Sequence, residues 1–145
     1  MRFVHQVEEL PSATLYKEKK LPLPVEARKR IKAFNFETAN LLTSAESLCK
    51  TLDYLDRGLF QGSELKEVKT DLDTEIMAVD WFIDRTSAHL FGGKYPPLLE
   101  EAKKFLKEVE EHIKWKDYRS AWLACTDLRK TFYNFATTEF DSTGL

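Results

Sequence analysis

Asp73, Asp80 and Asp84 follow one another at steps of seven and four, which return to nearly the same angle on a helix. Three acids on one flank are a set that could hold a cation. Metal centres inside helical bundles, however, draw inward-pointing Glu and His from several helices, and the Glu-x-x-His pair of di-iron bundles does not occur here. Glu108, Glu111 and His112 read as neighbours on a helix surface. No metal site is expected. The three histidines, His5, His89 and His112, lie far apart, and none stands beside a matched nucleophile. No Gly-rich turn opens a helix after a strand, so there is no phosphate cradle and no bound cofactor is expected. Cys49 and Cys125 are too few and too distant for a zinc site or a disulfide framework. Both fall on or beside apolar stripes and read as small buried hydrophobes, with one inter-helix disulfide in an oxidising compartment as the alternative.

Two further features could carry function. Arg85-Thr-Ser-Ala-His89 resembles the Arg-to-His motif of HEPN-class helical nucleases, but that motif has four to six intervening residues and this chain has three. Trp81 points almost directly away from the apolar stripe of its own helix, with Met77 and Ala88 near it. An exposed aromatic beside Met is typical of an interface anchor, although packing against the chain's own arm or an irregular neighbour would account for it equally. Trp115 and Trp122, near a predicted turn, read as core or cap residues.

These residues must be positioned by helices. The 145 residues match one domain with enough buried surface for a core, and 43% hydrophobic with 32% charged residues and five each of Gly and Pro is a globular helical composition. Apolar runs are far shorter than the roughly 20 residues that cross a bilayer. No stretch near Met1 resembles a signal-peptide core. The net charge of −2 is unevenly spread: residues 1–32 carry eight Lys/Arg against four Glu, whereas the remainder is acidic. Such a basic segment suits an anionic partner surface or is simply a solvated stretch.

Residues 1–24 lack helical periodicity and end in Leu21-Pro22-Leu23-Pro24, each Pro pushing its predecessor out of the α region. They form an extended arm with apolar anchors such as Phe3, Val7 and Leu15. From Val25 a long helix repeats apolar positions at steps of three and four, through Ile31, Phe34, Leu41, Leu48, Leu52 and Leu59, and Gly58 is its expected αL terminator. A second opens with Ser63 as N-cap, carries Leu72, Ile76, Val79 and Ile83, and closes at Gly92-Gly93. Pro96-Pro97 start a third, with Leu98, Ala102, Leu106 and Val109. The fourth follows Asp117 as N-cap, with Ala121, Cys125, Leu128 and Phe132. Short connections make the first two helices one antiparallel hairpin and the last two a second. The predicted fold is all-α: an up-and-down four-helix bundle over 25–140, an extended N-terminal arm over 1–24, and a tail over 141–145.

The order of parts resembles the PsbQ family, extrinsic subunits of photosystem II and of the chloroplast NDH complex. The resemblance rests on Leu15-Tyr16-Lys17 in the arm, Leu21-Pro22-Leu23-Pro24-Val25-Glu26-Ala27-Arg28 entering the first helix, and Leu55-Asp56-Arg57-Gly58-Leu59-Phe60 ending it. Val68 to Leu72 and Val79-Asp80 are similar to that family's second helix, and Leu106 to Leu128 to its last hairpin. Where the family usually has a Trp before helix two and a Leu-Arg pair within it, this chain has Phe60 and Asp71-Leu72-Asp73. The resemblance implies a non-enzymatic accessory subunit in the thylakoid lumen, peripheral to the membrane, docked on subunits of a larger complex. Tyr16, Lys17, Lys19, Lys20, Arg28 and Lys29, with Met77 and Trp81, are the expected partner-binding residues. Two other classes stay open: a cytoplasmic basic-arm nucleic-acid binder or HEPN-like nuclease, and a homo-oligomeric helical scaffold. Nucleic acid is the less expected partner, because the arm's basic residues lack interleaved aromatics for base stacking.

Overall fold

The computed structural model describes residues 25–142, with side chains through Thr138. The arm, with Tyr16, Lys17, Lys19 and Lys20, lies outside the described residues, as do residues 143–145. Four α-helices follow in order: α1 Val25–Asp56, α2 Gly62–Leu90, α3 Pro97–Lys114 and α4 Tyr118–Ser142. Among the described residues there is no strand, and no helix is long and apolar enough to cross a membrane. The fourth helix continues past residue 140, where the sequence reading began a tail.

Helix α1 packs against both α2 and α4, and α4 packs against α3, while the α2–α3 side is the most sparsely filled. The apolar repeats meet in one seam. Phe34, Leu41, Leu48 and Leu52 of α1 face Leu72, Val79 and Ile83 of α2, Leu99, Leu106 and Val109 of α3, and Leu128, Phe132 and Phe135 of α4, all of them buried. Each such side chain contributes roughly 1.5–3 kcal/mol by leaving water. The Phe34 and Phe135 rings meet at 5.6 Å, and Phe91 stands edge-on to Phe135 at 5.9 Å, which ties both hairpins together at one end of the bundle. Because α1 has two partners, its buried face is wider than a single stripe and includes Leu42, Cys49, Asn35 and Glu37.

The helix ends follow local chemistry. At the end of α1, Gly58 N–H donates to the Leu55 carbonyl and Leu59 N–H to that of Tyr54, with Gly58 at φ 68°. This is the Schellman arrangement, in which a residue without Cβ turns left-handed to satisfy terminal carbonyls. Leu59 thereby leaves the core stripe and is exposed. The same motif ends α3, where Lys116 N–H meets the Ile113 carbonyl and Asp117 N–H that of His112. There Lys116 adopts φ 58°, a conformation that costs a side-chain-bearing residue about 1 kcal/mol. Asp117 then caps α4, its Oδ1 accepting from Ser120 N–H at 3.1 Å. Two expectations need correction. Helix α2 begins at Gly62 after Gln61, with no side-chain cap, so Ser63 sits in the first turn instead of before it. The α3 stripe is phased on Leu99, and Leu98 is only partly buried.

A carboxylate lies in the α1–α2 seam. Thr51 Oγ1 donates to Glu75 at 2.9 Å, and Ser47 Oγ stands 3.4 Å from the second oxygen. Burial raises the Glu75 pKa above its ordinary value of 4.5, the hydroxyl donors opposing it and Asp71 adding to it. A carboxyl raised on folding binds its proton more tightly in the native state, so the native state is penalised above the raised pKa and relieved as pH falls toward 4.5. Glu75→Gln, which keeps an acceptor for Thr51, is therefore expected to raise the urea midpoint at pH 8. That advantage should shrink by pH 5, and an equal gap at both pH values would contradict this account of Glu75.

Candidate functional site

Helix α2 presents Met77, Trp81, Arg85 and His89 at successive steps of four, a spacing that drifts slowly around the helix and here turns toward α1. Met77 is 70% and Trp81 55% exposed, so the outward-facing pair expected from the sequence is present. The structure adds what a single-helix projection could not contain. The Arg85 guanidinium lies between two rings, with its Cζ 5.4 Å from the Trp81 centroid and 5.4 Å from that of Phe36 on α1. Phe36 is itself exposed. The Trp81 ring also meets Phe82 nearly edge-on at 5.1 Å, giving the indole a fixed flank.

Beneath this stack Glu37 anchors the arginine. Its Oε1 accepts from Arg85 Nε at 3.2 Å and stands 2.9 Å from His89 Nδ1. The Glu37 side chain is 4% exposed, and its Oε2 has no protein partner. A buried carboxylate demands a countercharge, which fixes Arg85 across the helix seam and holds its guanidinium against the two rings. Large rings around a positioned guanidinium, over a well-packed base, are the composition that dominates binding energy at protein interfaces. Phe36 and Glu37 carry no signal in the sequence, and Arg85 enters there only as half of the Arg-to-His spacing, because the stack exists only once α1 and α2 are set side by side.

The surface continues toward the start of α1. A shallow hollow of about 310 Å³ has Phe34, Ala33 and Leu90 as its floor, with Lys29, Arg30 and His89 around it. Arg28 and Lys29 are both exposed in the first turns of α1, and Lys29 pairs with Glu26 at 3.8 Å. The stretch from Met77 to Lys29 is thus apolar and aromatic at one end and basic at the end from which the arm departs. Of the expected partner-binding residues, the structure brings Lys29 and Trp81 onto this α1–α2 side, while Met77 stands at its edge, one turn before Trp81, where it also borders the α2–α3 groove.

Other candidate chemistry resolves differently. Asp80 and Asp84 are claimed by Lys103 of α3, at 3.2 and 2.7 Å, and Tyr95 O–H donates to Asp84. The Lys103 ammonium and then the Tyr95 hydroxyl hold the Asp84 carboxyl below its ordinary range. The acidic flank is therefore a clasp on the thinly packed α2–α3 side, and among the described residues no group of ligands is placed to hold a metal. Below the clasp α2 and α3 part into an open groove of about 820 Å³, rimmed by Met77 and lined by equal numbers of acids and lysines around Ile76, Leu106 and Ile113. Trp122 packs partly buried on the core. Trp115 is the C-cap residue of α3 but is no core residue: it is 72% exposed and donates to Glu111 at 3.1 Å, since its helical phase sets it opposite buried Leu99 and Leu106. Cys49 and Cys125 are both buried. Compared with protein-family models, with curated proteins and with solved structures, the chain matches none.

Proposed function

We propose that this chain is a non-enzymatic accessory subunit that docks on a larger assembly through the α1–α2 face and the arm that precedes it. The observation that carries the reading is the Phe36–Arg85–Trp81 stack held over the buried Glu37 carboxylate. An exposed indole and an arginine locked between rings are poor choices for a purely solvated helix face and good anchors for a protein partner. The basic end of the surface favours an acidic docking site.

The finer reading follows the resemblance to PsbQ-like subunits in Leu15 to Lys17, Leu21 to Arg28 and Leu55 to Phe60. It makes the assembly a photosynthetic membrane complex of the photosystem II type, approached from its lumenal side. The test is reconstitution with photosystem II cores stripped of their extrinsic subunits by salt. Saturable co-sedimentation is expected, and deletion of residues 1–22 should abolish it while far-ultraviolet circular dichroism stays nearly unchanged. No binding by the intact chain removes photosystem II as the partner. Undiminished binding by the deleted chain removes the arm from the docking surface.

One observation favours a second reading, RNA cleavage of the HEPN kind, because Arg85 and His89 converge on the same Glu37 oxygen. The carboxylate would orient the imidazole as a base for a ribose hydroxyl, with the arginine beside the phosphoryl oxygens. Incubation with single-stranded RNA decides it: cleavage that disappears in His89→Ala supports the nuclease, and intact RNA dismisses it.

A further inference from the structure

Cys49 of α1 and Cys125 of α4 are 76 residues apart in sequence, and their sulfurs stand 2.7 Å apart inside the core. Cys125 is fully buried and Cys49 4% exposed. Their separation is less than an ångström beyond the roughly 2.05 Å of a covalent disulfide, and the contact joins the first helix of one hairpin to the last helix of the other. We propose that Cys49 and Cys125 are a redox pair that closes to an inter-helix disulfide, locking α1 to α4 across the bundle. This site is separate from the α1–α2 surface and does not depend on the docking reading.

The environment assigns the order of events. The first proton leaves Cys49, because the Cys125 thiol donates to the resulting thiolate and lowers the Cys49 pKa against the opposing effect of burial. For the same reason Cys125 retains its proton, its pKa raised by the bond to Cys49 and then by burial. Ala45 O, 3.7 Å from Cys125 Sγ, is a second acceptor for that thiol. The thiolate is the attacking species in exchange chemistry, so Cys49 acts first.

The oxidant is a low-molecular-weight disulfide. The Cys49 thiolate attacks one of its sulfurs, forming a mixed disulfide and expelling one thiolate. Cys125 then gives up its proton and attacks the Cys49 sulfur, forming the internal bond and expelling the second thiolate. Two electrons pass from the cysteine pair to the small disulfide, and the two cysteine protons end on its two released thiols. A mixed disulfide does not fit within the sealed seam, so the exchange belongs to the last stage of folding, or to a partial parting of α1 and α4, when the two thiols already face one another, in preference to the closed bundle.

The test refolds the full chain from denaturant with oxidised and reduced glutathione, beside a sample kept fully reduced. The expected product is a monomer lighter by two hydrogens, with Cys49 and Cys125 in one linked peptide after proteolysis. Its melting temperature should exceed that of the reduced chain by roughly 10 °C, because the bond closes a long loop. The same oxidant added to the folded protein should act far more slowly. Comparing two states of one chain needs no variant to fold, and Cys49→Ala with Cys125→Ala serves as the control that shows no shift. A monomer that keeps both thiols, stable glutathione adducts on either cysteine, a disulfide-linked dimer, or a linked monomer that melts no higher would each overturn the proposal.

Discussion

Replacing Arg85 with alanine is expected to destabilise the bundle by about 3 kcal/mol, the loss typical of removing one partner from a buried ion pair. The reason lies less in the pair than in what the mutation leaves behind. Glu37 stays under the surface with a side chain 4% exposed, its Oε2 already lacks a partner, and only His89 remains near Oε1. The packing of the guanidinium on Phe36 and Trp81 goes as well. Adding Glu37→Gln to Arg85→Ala should recover a large share of the loss, since a neutral amide tolerates burial better than an orphaned charge. Chemical denaturation of both variants measures this directly. Equal stability of Arg85→Ala and the parent would mean that Glu37 does not need its arginine.

Trp81→Ala is expected to behave in the opposite way, leaving folding within about 0.5 kcal/mol of the parent while weakening docking about thirtyfold or more, the loss typical of an aromatic anchor. The indole is more than half exposed, so little core packing is lost. Its contribution appears only when a partner covers it. Trp115→Ala supplies the control: that side chain is still more exposed, but it lies at the end of α3, bonded to Glu111 of its own helix, and should leave association unchanged. Titration of each variant against the partner assembly checks the pair. Equal losses for both tryptophans would show that the effect is not specific to the α1–α2 face. The same titration by light scattering of the chain alone separates docking on a foreign partner from self-association through Trp81.

Much of the fold was legible because each helix buries a face at regular spacing. The three-four repeat through Ile31, Leu41, Ile76 and Leu128 predicts a shared seam, and all four are buried. Gly58 as terminator and Asp117 as cap follow from side-chain chemistry that acts within one turn. The failures have a common cause, in that they depend on neighbours distant in sequence. Glu37 is buried only because α2 covers it, which its place within α1 does not announce. Asp73, Asp80 and Asp84 share a flank on which no metal site is expected, but that Lys103 of α3 takes the last two shows only when the helices pack. Trp81 and Met77 were visible as outward-facing residues, but Arg85 and Phe36 were not, because the stack forms between helices. Lys116 in the left-handed turn carries no warning in its residue type, whereas the exposure of Trp115 follows from a helical phase opposite Leu99 and Leu106.

If the protein docks as proposed, its α1–α2 face is covered in the native assembly. Oxidative footprinting of the chain, free and in its native high-mass fraction, reads this at individual side chains. Met77 and Trp81 should be strongly protected in the assembly while Trp115 reacts equally in both states. Equal reactivity of Met77 and Trp81 in the two states, or a chain that is wholly monomeric in the native extract, would contradict it.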